Sequence, residues 1–118
     1  MATYTKLPLS ASVNGKRILI SAIESASANP IHTAVGGTDS IDEVWLYAYN
    51  EATSSLLLSV LWGGTVEPDD VNRVTIASQT GRTLVVDGQL LQNELIISAY
   101  ASFPNKINID GFINRITP

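Results

Sequence analysis

The chain has 118 residues, 45% of them apolar and only 15% charged. That suits one domain with a core of its own and argues against a disordered chain. A net charge of −4, with seven Lys and Arg scattered along the chain, argues against the phosphate-neutralising surface that sequence-independent nucleic-acid binding requires. Cysteine is absent, which removes disulfides and thiolate metal sites and fits synthesis in a reducing cytoplasm. No run approaches the ~20 apolar residues of a membrane-spanning helix, and the first residues lack the apolar stretch of a secretory signal.

Residues 1–8 are short, polar and closed by Pro8, and read as a disordered arm or an edge strand. Asn14-Gly15 is a turn signal, after which residues 16–23 form a β-branched run with Ile18, Ile20 and Ala22 on one side. Residues 24–30 are a small-residue loop ended by Asn29-Pro30, and residues 31–35 a short strand stopped by Gly36-Gly37.

Residues 38–43 read as a polar segment holding Asp39, Asp42 and Glu43. Strand 44–50 then places Val44, Leu46 and Ala48 on one face and Trp45, Tyr47 and Tyr49 on the other. A polar turn at 50–54 returns the chain into strand 55–62, so that 40–64 reads as a hairpin. In the returning strand Leu56, Leu58, Val60 and Trp62 face one way and Leu57, Ser59 and Leu61 the other. A helix over 50–62 is the competing reading, countered by its Ser and Val content and by Gly63-Gly64.

Loop 63–70 precedes strand 71–77, a turn at 78–82, a short strand 83–86 and a hairpin-type turn at Asp87-Gly88. Strand 94–102, a turn at Pro104-Asn105 and a final strand 106–116 complete the chain. In the final strand Ile107, Ile109 and Ile113 lie opposite Phe112 and Ile116, and Gly111 marks a bulge or a close backbone approach. The pattern is all-β: a single domain over 1–118, an antiparallel two-sheet sandwich of about eight strands, jelly-roll-like in preference to immunoglobulin-like.

Catalytic chemistry finds little to work with. His32 is the only histidine, and no Gly-x-Ser-x-Gly elbow accompanies it, so the ordinary reading is a hydrogen-bonded or interface histidine. The acids Asp39, Asp42 and Glu43, and Glu67, Asp69 and Asp70, sit at strand ends where carboxylates serve as solvated turn residues. Neither group has the spacing of a calcium loop, and zinc lacks ligands. The expectation is a protein that is not an enzyme, with no catalytic residue, no cofactor and no metal.

The remaining signal is surplus apolar surface, because a sandwich strand needs only one apolar face. Three explanations compete: a central hairpin covered by loops, a face that meets another subunit or a large partner, or an aromatic platform for sugars. The partner-interface candidates are Trp45, Tyr47, Tyr49, Leu57, Leu61, Tyr4 and Leu7.

A resemblance enters through residues 84–116, LVVDGQLLQNELIISAYASFPNKINIDGFINRI. Its run from Asp87-Gly88 through a small-residue strand to GFINRI, in a cysteine-free and histidine-poor β chain, resembles the ends of small head-decoration (cement) proteins of tailed bacteriophages. The resemblance implies a homotrimer on the capsid exterior of the virion, made in the host cytoplasm, whose partners are itself and the major capsid protein rather than nucleic acid or a membrane. It also implies that residues 1–9 serve as a docking arm. The alternative is a carbohydrate-binding or receptor-binding module of a phage tail.

Overall fold

The computed structural model describes residues 2–118, so Met1, the first residue of the expected arm, lies outside the described residues. Nine strands run in order: β1 (Thr3–Pro8), β2 (Ile18–Ile20), β3 (Asn29–Thr33), β4 (Ile41–Asn50), β5 (Leu56–Trp62), β6 (Val71–Ile76), β7 (Thr83–Leu91), β8 (Ile96–Ala101) and β9 (Ile107–Thr117). They form two antiparallel sheets. Sheet A has the order β1-β9-β4-β7, with β2 also on β9, and sheet B the order β3-β8-β5-β6. The all-β sandwich read from the sequence is the architecture observed.

Alternation carries the packing. In β4 every second side chain is buried, and Val44 and Leu46 have no exposed surface. They meet Leu58 and Val60 of β5, Ile97 and Ala99 of β8, and Ile109 and Ile113 of β9 between the sheets. Residues 56–62 are a strand and not a helix: β5 is bordered on both sides, by β6 and β8.

Four sequence expectations change. The segment 40–64 is not a hairpin, because β4 lies in sheet A between β9 and β7 while β5 lies in sheet B between β8 and β6. The turn between them is therefore a corner from one sheet to the other. Each of these strands is central in its own sheet, which accounts for their apolar richness. The polar segment 38–43 does not stay a loop, since β4 begins at Ile41 and its Asp42 points into the interior.

Asp87-Gly88 is no turn either; it lies within β7, where the register against β4 jumps from Val44–Gln89 to Trp45–Asp87. Gly88 takes φ +81° at this bulge, and a Cβ there would come within 3.0 Å of the Trp45 ring. The strand expected over 16–23 contracts to three residues.

The two alternatives left open by the sequence also resolve. Residues 3–8 pair with 112–117 as an edge strand. At Gly111 the β4–β9 register runs without a shift, from Ile41–Ile116 to Asn50–Ile107. The glycine therefore serves a close approach and not a bulge: a Cβ would collide with the Trp45 carbonyl oxygen.

Leu46→Ala and Leu58→Ala should each cost about 2–5 kcal/mol in denaturant unfolding, through lost transfer energy plus a residual cavity. A cost under about 1 kcal/mol at both would place the core elsewhere.

Candidate interaction surface

Among the described residues the titratable side chains fall into separate groups. His32 and Asp42 are buried, with 2% and 0% of their surface exposed. The Ser10 N–H donates to His32 Nδ1 at 3.0 Å, so Nε2 carries the imidazole proton and donates to Asp42 Oδ2 at 2.8 Å. Arg115, opposite Asp42 in the β4–β9 register, donates from Nε to Oδ1 at 2.8 Å and from Nη2 to Oδ2 at 3.1 Å. The Val35 N–H adds a contact at 3.0 Å.

Burial opposes the charge on Asp42. The hydrogen bonds from Arg115 and His32, the Arg115 charge and the Val35 N–H outweigh it and hold the carboxyl below its ordinary range. Both imidazole nitrogens are engaged within the protein, Nδ1 by the Ser10 N–H and Nε2 by Asp42. This is a structural clamp between the sheets, and it answers to the hydrogen-bonded histidine of the sequence reading.

The acids do not gather in a cleft. Glu43 faces the opposite side of β4 from Asp42 and accepts at Oε1 from Trp45 Nε1 and Asn114 Nδ2, both at 2.9 Å. Those two bonds hold its carboxyl below the ordinary range. Asp39 is exposed in the loop before β4. In loop 63–70, Glu67 accepts from the Tyr100 hydroxyl and pairs with Arg73 at 3.2 Å, Asp70 accepts from the Val66 N–H at 3.0 Å, and Asp69 faces solvent. Among the described residues no three His, Cys, Asp or Glu side chains converge as a metal-ligand set. A groove of about 440 Å³ on the outer side of sheet B has Glu94 as its one titratable lining residue.

The outer face of sheet A is different. The register brings Trp45 beside Phe112, Tyr47 beside Asp110 and Tyr49 beside Asn108. The Trp45 and Phe112 rings lie nearly parallel, 10° apart, with centroids 6.2 Å from each other. Lys6 Nζ sits 4.4 Å above the Phe112 ring, and the Arg82 and Arg17 guanidinium carbons lie 4.0 Å and 5.8 Å from the Tyr47 and Tyr49 rings. Asp110 holds Arg82 at 3.0 Å and Arg17 at 3.8 Å. The result is a surface of half-buried aromatic rings interleaved with cations, two of them held by Asp110.

Of the sequence candidates, Trp45, Tyr47 and Tyr49 line this face together, and Tyr4, 70% exposed, extends it at β1 beside Ile116. Leu57 is on the other side of the molecule, 39% exposed on the outer face of sheet B. Two candidates belong to packing instead. Leu7 pairs with Ile113 and leans on the core. Leu61 has no exposed surface: it lies between Val71 and Ser98, beside loop 63–70, whose Glu67 is tied to Tyr100 and Arg73 on that same face.

Phe112, Lys6, Arg17 and Arg82 were not singled out by sequence. Alternation had set Phe112 opposite the core isoleucines, but only the β4–β9 register shows it beside Trp45. Comparison of the chain with protein-family models, with curated proteins and with solved structures finds no match.

Asp42→Asn removes the charge that Arg115 faces and should cost about 3 kcal/mol, since Arg115 keeps partial access to water. The Asp42 carboxyl is below its ordinary value in the folded chain, so its contribution is full above about pH 4 and is lost as pH falls through the folded value. Acid titration of the unfolding free energy should therefore drop more steeply below about pH 4 in the unaltered chain than in the variant. Parallel curves would remove Asp42 from the clamp.

Proposed function

We propose that the chain is a non-enzymatic structural protein of a phage particle, a head-decoration protein that binds the capsid exterior as an oligomer, a homotrimer by the family resemblance, and bridges major capsid subunits. The observation that carries this reading is the outer face of sheet A. Tyr4, Trp45, Tyr47, Tyr49 and Phe112, with Arg17 and Arg82 among them, have the aromatic and arginine composition of interface cores. They stand on a hydrogen-bonded sheet, so little conformational freedom is lost when a partner covers them. Many copies set on a symmetric shell turn a modest contact into lasting attachment.

The pairing pattern supports the same reading. β2 pairs with β9, β3 with β8, β4 with β7 and β5 with β6, and successive pairs alternate between the sheets. A long hairpin rolled over on itself gives this order, which favours a jelly roll, an architecture found in viral capsid and lectin domains.

The lectin-like alternative draws on the row of aromatic rings. A sugar-stacking platform needs open ring faces, and here Lys6 covers Phe112 and Arg82 covers Tyr47. The covered rings favour a protein partner over a sugar.

Purified protein mixed with emptied, undecorated heads should co-sediment with them and raise their resistance to heat. Tyr47→Ser should weaken that binding at least about tenfold while leaving the fold intact. No co-sedimentation at micromolar protein sinks the capsid role, and a tryptophan-fluorescence shift on adding oligosaccharides would move the assignment to the sugar-binding module.

A further inference from the structure

The strands at the margins of the two sheets are not alike. β1 carries Lys6 and ends in Pro8, and β2 is three residues long. β7 is bulged twice against β4. β3 is flanked by the segment before β2, with the Ala11 N–H on the Ile31 carbonyl at 3.2 Å and the Thr33 N–H on Ser10 Oγ at 2.7 Å. Charge, proline, brevity, bulges and cover are the devices by which proteins keep a sheet edge from pairing with another chain.

β6 has no proline, no bulge and no cover, and its one charge does not stand at the margin. Its register against β5 runs unbroken from Leu56–Ile76 to Leu61–Val71. It contains no proline, glycine or lysine. Among the described residues, the backbone from Asn72 to Thr75 makes hydrogen bonds to no segment other than β5. Its one charge is withdrawn from the margin. Arg73 reaches inward across β5 to the Tyr100 hydroxyl of β8, 3.3 Å from Nη2, and to Glu67 at 3.2 Å. The side chain that would guard the edge is spent on the interior of the sheet's outer face.

We propose that β6 is where two copies of this chain join, antiparallel, about a two-fold axis passing between Val74 and its partner copy. Every other margin is blunted, so the one plain strand a second copy can offer is its own β6, and the contact is isologous. The register places Arg73 opposite the partner's Thr75 and Asn72 opposite the partner's Ile76. No like charges oppose each other, and the exposed Arg73 and Thr75 share the outer face. The two copies of sheet B become one continuous sheet, with main-chain hydrogen bonds supplying the affinity. This contact lies apart from the outer face of sheet A and stands independently of the capsid reading. Combined with a three-fold assembly it gives an even number of copies, six at the least.

Native mass spectrometry and sedimentation at micromolar concentration should find an even number of copies. Thr75→Lys sets a cation opposite Arg73 twice per interface and should raise the dissociation constant at least about tenfold, leaving monomers or trimers of unchanged circular dichroism. Thr75→Glu sets a carboxylate there and should hold the assembly as tightly as the unaltered chain or more so. An unaltered chain that is purely trimeric overturns the two-fold contact without touching the capsid assignment, and a monomeric one overturns the two-fold contact and the trimer alike. Equal behaviour of the Lys and Glu variants, whether both assemble or both fall apart, overturns the two-fold contact as well.

Discussion

The fold depends on one buried charge. Asp42 has no exposed surface, and a carboxylate in that position is tolerable only if its oxygens are fully satisfied. Four donors meet it, from β3, the segment after β3, and two atoms of Arg115 on β9. The inward row of β4 thus begins with Asp42, continues through Val44, Leu46 and Ala48, and ends at Asn50, again fully buried. Asn50 Nδ2 donates to the Ile76 carbonyl of β6 at 2.9 Å, across to the other sheet. An apolar row bounded by two polar anchors can occupy one register only. Sliding β4 by two residues would bury Asp42 among aliphatic side chains and strip Asn50 of its partners. The hydrophobic terms drive the sheets together; these two side chains fix where they stop.

That constraint explains what the sequence disclosed and what it hid. Period-two alternation sorted the side chains of β4, β5 and β9 onto two faces, because it is a local property of a half-buried strand, but left open which face of β4 turns inward. It also predicted the antiparallel sandwich, since runs of that length between turn residues have few other ways to bury one face. Pairing was not legible. Asp42 meets Arg115 across 73 positions of sequence, and nothing near either residue announces the other. For the same reason Asp42 read as a solvated loop acid. Its neighbours Asp39 and Glu43 are polar, and only β9 and β3 together make its burial tolerable.

Turn residues misled in two ways. The polar segment after Asn50 specifies a reversal of direction, but a reversal within one sheet and a corner between two sheets use similar residues. What decides is whether each strand has better neighbours elsewhere, and β4 finds β9 while β5 finds β8. Asp87-Gly88 supplies the positive φ of a hairpin turn, yet the same conformation serves a bulge where a large ring lies against the backbone. Gly111 was flagged correctly as unusual, and its cause, the Trp45 carbonyl, lies in another strand. The candidate surface shows the same division. Trp45, Tyr47 and Tyr49 came from one strand's alternation, whereas Phe112 and the three cations join them only through pairing.

The cations on that surface resolve a difficulty that an exposed aromatic face creates. A contiguous apolar patch on a free chain invites indiscriminate association. Here the rings are neither bare nor covered by a loop. Lys6 and Arg82 lie over ring faces, while Asp110 fixes Arg82 and Arg17 in place, so these two arginines are partly neutralised where they stand. A cation over a ring keeps its own contact with water, its stem shields apolar area, and the pairing is worth about 0.5–1 kcal/mol at an exposed site. A covering that weak is displaced by a partner able to bury several rings at once, and is retained against one that buries a single ring. On the partner reading proposed above, the face would discriminate by extent: small apolar molecules would gain too little to part the cations from the rings, and a broad protein surface would gain enough.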